Sequence, residues 1–388
     1  MKRGLAHNIL NKRFSHLNNS VLDFLEKEEV KVYEKISKHS KTKLNSIRKK
    51  VLDYPQAIYP GKNIPLEWWY FTGHLQNKTK KYGYEFCIFK FHPQALRVGI
   101  IPLSFFRKKP FLALHFALTD KTNKNFKVFQ DSGLIHHQDF KYDNIDLKLN
   151  NCSLQLKNDK FKIKTKSDFA ELELSLDPLK KIIKHFDKGY TVMYSPPQHR
   201  TYYLTFTRLK SNGKLKIGKT KSNVSGLSWF DHQKLNLPKR SSLRGWDWFS
   251  IMLNDRTELM FFVLRNKQGV TNKFMGGSYI DKNSKKINLS PTDILIEQIS
   301  SWTSKKTKVT YPSGWKIEVP RLKISLNISP TVKNQEITRM FATPMNYWEG
   351  ACDVQGTKRN KKVKGQSYVE LVGYDHKFFT KVLESFYR

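Results

Sequence analysis

The chain has 388 residues, long for one domain and comfortable for two. It is 39% hydrophobic and 13% aromatic, enough to build large cores and to exclude general disorder. Seventy Lys and Arg against 33 Asp and Glu give a formal charge of +37, a field that attracts anionic partners. The excess is dispersed, which fits solvated loops better than one binding stripe.

Residues 1–50 carry Leu22, Leu25, Val32, Tyr33, Ile36, Leu44, Ile47 and Val51 at roughly helical spacing, with Asn19 or Ser20 as a cap. They predict a basic helical extension, packed on the domains or resting on a membrane surface as a peripheral contact. No apolar core or small-residue cleavage site follows the basic start, so the expectation is a cytoplasmic protein, with export as the alternative. No run of about 18 apolar residues predicts a membrane span.

From Ile64 the hydrophobic period becomes two. Residues 64–75 and 82–91 form a hairpin across Asn77-Lys78-Thr79-Lys80. Strands follow at Leu112 to Thr119, Phe126 to Val128, Asn144 to Leu149 and Phe161 to Lys164. Tyr202 to Leu209 runs into Ser211-Asn212-Gly213, which reads as a hairpin turn. A break at Leu237-Pro238-Lys239-Arg240 precedes a second series. Residues 245–253 and 258–265 pair across Asn254-Asp255-Arg256, Leu322 to Ile328 alternates, and residues 347–354 and 367–374 flank a basic loop at 358–364. His376 to Arg388 reads as a short helix. Many short strands with regular turns predict an all-β fold of two antiparallel barrels. The expected parts are a helical extension at 1–50, one barrel domain at 51–240, a second at 241–376 and a tail at 377–388.

Several chemistries lack their motifs. There is no G-x-x-x-x-G-K-[ST] or G-x-G-x-x-G phosphate loop and no H-E-x-x-H. Gly226-Leu227-Ser228-Trp229-Phe230 lacks the last glycine of a nucleophile elbow. His136-His137 are adjacent and would face opposite ways in a strand. Cys87, Cys152 and Cys352 have no paired spacing and read as buried free thiols. No cofactor and no metal are expected.

What stands out is charge embedded in aromatic strands. Glu67 precedes Trp68-Trp69-Tyr70, Asp231-His232 follows Trp229-Phe230, Asp247 sits between Trp246 and Trp248, Glu349 follows Tyr347-Trp348, and Glu370 follows Tyr368. Such carboxylates must be paired, hydrogen-bonded or raised in pKa. Glu67, Glu349 and Glu370 read as ion pairs with Arg208, Arg244 or Arg265. Asp231 and His232 read equally as a proton-transfer pair.

These segments also carry a family resemblance. Glu67 to Leu75, Tyr82 to Phe86, Leu114-His115-Phe116-Ala117-Leu118-Thr119-Asp120, Tyr202-Tyr203 with Thr207-Arg208, Gly226 to His232, Gly245 to Phe249, Tyr347-Trp348-Glu349-Gly350 and Tyr368 to Tyr374 resemble, in order, the motifs of the family joining AttH-like proteins with carotenoid 1,2-hydratases. The resemblance covers residues 54–376 and implies two lipocalin-like β-barrels. It also implies either hydrophobic-ligand binding or water addition to an isoprenoid double bond. Lys234 soon after His232, and the absence of an acid in Met260 to Leu264, depart from the hydratase branch.

Three readings follow. The first is a barrel that holds a lipid- or isoprenoid-like small molecule among Trp68, Tyr70, Tyr203, Trp229 and Trp248, with Glu67, His115, Arg208, Trp246, Asp247, Trp348 and Glu349 as further ligand-binding residues. The alternative is a hydratase or hydrolase with Asp231 and His232 moving protons and indole faces steadying a cation. Nucleic-acid binding is the weakest, because no module or aromatic-plus-basic stripe supports it.

Overall fold

A computed structural model describes residues 53–93, 97–98, 101–102, 110–134, 140–192, 200–235, 243–266, 276–338 and 346–375. The expected helices at 18–50 and 376–388, His136-His137 and the break at 237–242 lie outside these residues. The rest is antiparallel sheet with three short 3₁₀ turns. No helix among the described residues is long and apolar enough to cross a membrane.

All strands of the first large sheet lie between Leu66 and Leu235. Its backbone order is Asn125–Leu134, Phe111–Asp120, Lys81–Phe91, Leu66–Gln76, Thr220–Leu235, Arg200–Ile217, Ala170–Pro178, Lys160–Lys166, Cys152–Lys157 and Asp146–Leu149. The two ends of that path meet: Asn150 donates to Asp131 at 2.8 Å and the Leu149 side chain reaches Gly133, so the sheet curls into a near-barrel.

The second sheet, between Leu243 and Val372, repeats the plan. Its order is Lys286–Leu289, Gly276–Ile280, Glu258–Asn266, Leu243–Leu253, Lys361–Val372, Tyr347–Lys358, Ile324–Pro330, Trp315–Val319 and Leu295–Gln298. In both sheets the first long strand lies between its hairpin partner and the last long strand. The expectation of two lipocalin-like barrels holds.

Each barrel has a packed interior. Trp69, Phe71, Phe86, Phe161 and Phe230 fill the first; Phe249, Phe261, Trp315, Trp348 and Val369 fill the second. A third apolar cluster lies outside both, between the barrels, and takes Tyr70, Cys87, Tyr203 and Trp229 from one side and Trp248, Met260, Phe262 and Tyr368 from the other. The period of two produces this arrangement: alternate residues of one strand face the barrel interior and the seam.

Two turn expectations are corrected. Ser211-Asn212-Gly213 is no turn; the strand runs unbroken from Arg200 to Ile217, with a register shift between Phe206 and Leu209. Gly213 serves close backbone approach, since a Cβ there would lie 1.9 Å from the Glu173 carbonyl oxygen. The turn falls at Gly218, whose φ is +57°. The basic loop is likewise shorter than 358–364: Lys358 pairs with Lys361, and only Arg359 and Asn360, both at positive φ, make the turn.

The barrels are also tied by charge. Glu258 of the second sheet accepts Arg208 Nε and Lys180 Nζ from the first, each at 2.6 Å, with all three side chains nearly inaccessible. Arg208 also donates to the Leu253 carbonyl at 2.8 Å.

Candidate active site

The seam places equivalent register positions of the two barrels against each other. In the first barrel Tyr70 lies opposite Asp231, which lies opposite Thr205. In the second, Trp248 lies opposite Glu370, which lies opposite Glu349. Two residues further along each first strand, Thr72 pairs with Trp229 and Glu85, and Ser250 pairs with Tyr368 and Met260. Asp231 and Glu370 are therefore matching acids, one from each barrel, in matching strands.

Their surroundings differ. Asp231 accepts hydrogen bonds from Tyr203 Oη at 2.5 Å, Trp229 Nε1 at 2.8 Å and Thr205 Oγ1. Trp248 Nε1 in turn donates to Tyr203 Oη at 2.8 Å. Burial outweighs these three donors and holds the Asp231 carboxyl up at about 7. Glu370 has one side-chain donor, Trp246 Nε1 at 3.0 Å. Burial raises it to about 7 as well, with Asp231 and Asp247 adding to the shift.

Behind this pair are two more acids. Glu349 accepts Tyr70 Oη at 2.7 Å, and burial, then Glu370 and Glu85, push it well above the usual carboxylate range. Glu85 is fully buried, and its Oε2 has no hydrogen-bond partner. Burial and Glu370 raise it well above its ordinary value. His115 Nδ1 meets Tyr347 Oη at 2.6 Å, and burial lowers its pKa to about 3, so the imidazole is neutral at pH 7.

Aromatic side chains surround the acids and meet them through the indole N–H of Trp229 and Trp246 and the phenol O–H of Tyr70 and Tyr203. Trp248 meets Tyr70 edge to face at 5.4 Å and Trp229 at 6.3 Å. Trp68, Phe89 and Trp246 are only partly buried and mark where the seam reaches solvent.

The structure thus brings together Asp231, Tyr70, Tyr203, Trp229, Trp248, Trp246, Trp68, His115 and Glu349 from the expected set. They line the seam between the barrels, not the inside of either one, because Trp69 and Phe71 occupy the interior-facing positions of their strand.

Other expected residues go elsewhere. His232 is one residue from Asp231 in mid-strand and faces the first barrel's interior, so no bulge or strand end brings the two together. Its ring packs 4.9 Å from Trp69, and its Nδ1–H donates to the Trp68 carbonyl at 2.8 Å. The nearest carboxylate oxygen, Glu67 Oε2, is 3.8 Å from Nε2, outside hydrogen-bond reach. Burial, then Lys234, lowers the His232 pKa well below the usual histidine value. Glu67 is held on the same interior side by Lys90 and by the Gly61 N–H at 2.8 Å. Trp348 is core of the second barrel and donates to the Lys333 carbonyl. Asp247 pairs with Arg265 and accepts Tyr374 Oη, and Arg208 is spent on Glu258. Of the three arginines expected to pair with Glu67, Glu349 and Glu370, none is in an ion pair with them among the described residues; Lys90 takes that place for Glu67.

Sequence reasoning did not place Glu85, Tyr347 or Thr205 in the site, and it read Glu370 only as a structural ion pair. A parity signal was available: Glu85 shares parity with Cys87 and Phe89, and Glu370 with Tyr368, so each lies on the seam face of its strand.

Fold and site together define a protein of two lipocalin-like barrels with an acidic, aromatic seam between them. The chain belongs to the AttH-like family, which matches residues 46–374. It is 25% identical over 150 residues to kievitone hydratase of Fusarium solani subsp. phaseoli, a match that spans 38% of this chain and 41% of that protein. Among solved structures, an AttH protein from Nitrosomonas europaea superposes with a TM-score of 0.75 at 22% identity, covering 85% of this chain and 99% of the other. Kievitone hydratase from Nectria haematococca superposes at 0.66 with 13% identity, covering 84% and 95%. These structural likenesses concern the fold.

Proposed function

We propose that the seam adds water to a carbon–carbon double bond of an apolar small molecule. The observation that carries this reading is the pair of matching acids, Asp231 and Glu370, both held near neutral pKa among indole and phenol rings. A general acid works best when its pKa lies near the working pH. The relation to kievitone hydratase supports the same reaction class.

Hydration needs a proton donor, a water and something that steadies the intermediate cation. Glu370 is the better donor: it has a single side-chain hydrogen bond, and burial with Asp231 and Asp247 opposes its ionisation. Asp231, with three donors, is the better anion and takes the proton from water. Glu370 gives its proton to one alkene carbon, and the π electrons form that C–H bond. The other carbon becomes cationic beside the faces of Trp229, Trp248 and Tyr70. Water attacks it and loses a proton to Asp231. A proton then passes from Asp231 to Glu370, and the net change is addition of H and OH.

Binding an uncharged ligand without turnover accounts for the aromatic lining but gives no role to acids that lack an ion-pair partner. Incubating the protein with isoprenoid and prenylated aromatic alkenes should yield products one water heavier. Asp231→Asn and Glu370→Gln, both folded, should each lose at least ~100-fold in rate, the low end for a positioned acid or base. Ligand retention with no mass gain across the panel would favour binding alone.

A further inference from the structure

The chain carries a +37 excess, yet four acids in the seam, three of them buried and Glu370 half-buried, have no positive partner among the described residues. Among the described residues Asp231, Glu85, Glu349 and Glu370 are in no ion pair, although Lys90, Lys180, Arg208 and Arg265 pair with other buried or half-buried acids nearby. Asp231, Glu349 and Glu370 at least accept one side-chain hydrogen bond. Glu85 is 1% exposed and its Oε2 has no partner at all. Thr72, opposite Glu85, lies two positions from Tyr70, whose Oη donates to Glu349 opposite Glu370, so Glu85 lies on the strand face that carries the other acids. A buried carboxyl with an idle oxygen costs stability and has capacity for one more donor.

A positively charged donor without strong need of water would satisfy that oxygen. No group of three or more His, Cys, Asp or Glu among the described residues is arranged to hold a metal ion. The walls are instead the aromatic side chains of Trp229, Trp248, Trp246, Trp68, Tyr70 and Tyr347, surroundings that suit a weakly hydrated organic cation better than a metal ion. We propose that the seam is a binding site for an organic ammonium ion with an apolar tail, with the ammonium set among Glu85, Glu349, Glu370 and Asp231 and the tail along the partly buried Trp68, Phe89 and Trp246. The inference uses the site of the proposed hydratase but not its activity, since an ammonium ion binds without reacting. It also names a class of inhibitor, because a fixed cation imitates the charge that hydration would develop there.

Burial holds all four carboxyls above their ordinary range and a nearby cation favours their ionised forms, so binding should release protons and strengthen as pH rises. The test titrates full-length protein with decyltrimethylammonium below its micelle concentration, and with decanol as the uncharged control. Tryptophan fluorescence and calorimetry in buffers of different ionisation enthalpy supply the readouts. At pH 8 the ammonium should bind at least ~10-fold more tightly than decanol, with proton release, a difference typical of a desolvated cation–π site reinforced by charge. At pH 5.5 the preference should shrink. Glu85→Gln should reduce the preference for the ammonium over decanol at pH 8. Should that variant not fold, the wild-type pH dependence and proton release decide alone. Equal affinity for ammonium and alcohol at pH 8, or a preference independent of pH, would overturn the proposal; alkene hydration would then stand or fall on its own assay.

Discussion

Glu370 shows how one side chain links the chemistry of the seam to the stability of the fold. Its folded-state pKa of about 7 lies above the ordinary value of 4.5. The native chain keeps this proton where the unfolded chain has lost it, so the group's contribution falls as pH rises from 4.5 to about 7 and then levels off. Glu370→Gln removes the titration and keeps an oxygen for Trp246 Nε1. The variant should match the wild type at pH 4 and exceed it by about 2 kcal/mol at pH 8, a conservative conversion of the raised pKa. Urea denaturation at the two pH values checks this. A variant equally or less stable at pH 8 would mean that Glu370 is no burden to the fold. The same side chain should be needed for turnover, so stability and activity should move in opposite directions. Buried histidines pull the other way: His74, with a pKa lowered to about 3, contributes stability that is lost as pH falls below about 6.5. The wild-type pH profile therefore mixes both signs, and only the difference between variant and wild type isolates Glu370.

Along the strands, parity decides what each aromatic residue does. Trp68 and Trp69 are neighbours in Leu66–Gln76, yet Trp69 is fully buried in the first barrel and donates to the Ile58 carbonyl, while Trp68 sits half-buried at the seam. Trp69→Ala should cost about 3–5 kcal/mol, as for a large core side chain. Trp68→Ala should cost under about 1.5 kcal/mol and act chiefly on turnover or ligand affinity. Chemical denaturation beside an activity or binding assay separates the two, and similar stability losses would contradict the assignment of faces. The alternating pattern made the strands and the two-barrel fold legible from sequence, and the ordered aromatic motifs made the family legible. Which face was interior was not legible, because both faces of Leu66–Gln76 and of residues 228–235 are buried and both carry large rings. A strand with one solvated face announces its core by polarity; a strand buried on both sides does not. That ambiguity joined Asp231 to His232, which the pleat separates, and set the pocket inside a barrel. Glu85 and Glu349 lie far apart in sequence, and nothing local shows that they share the seam.

At the scale of the whole molecule, the site exists only while the two barrels stay docked. The seam is held by its aromatic cluster and by Glu258 with Lys180 and Arg208, an ion triad with almost no solvent contact. Glu258→Ala removes the carboxylate that two buried cations share and should cost about 3–5 kcal/mol, the range for one-sided loss of a buried pair. It should also reduce activity although no part of the triad touches Asp231 or Glu370. Scanning calorimetry should show a lower midpoint, and an unchanged midpoint would mean that the triad does not hold the barrels together. The central claim is that Glu370 and Asp231, one from each barrel, move the protons of water addition across this seam. Turnover of a hydrated alkene in D2O, followed by mass spectrometry and NMR of the product, tests it most directly. The account predicts one carbon-bound deuterium per new hydroxyl, and loss of product in both Glu370→Gln and Asp231→Asn while the folded protein still takes up the alkene. Undiminished deuterium-labelled product from either folded variant would contradict it.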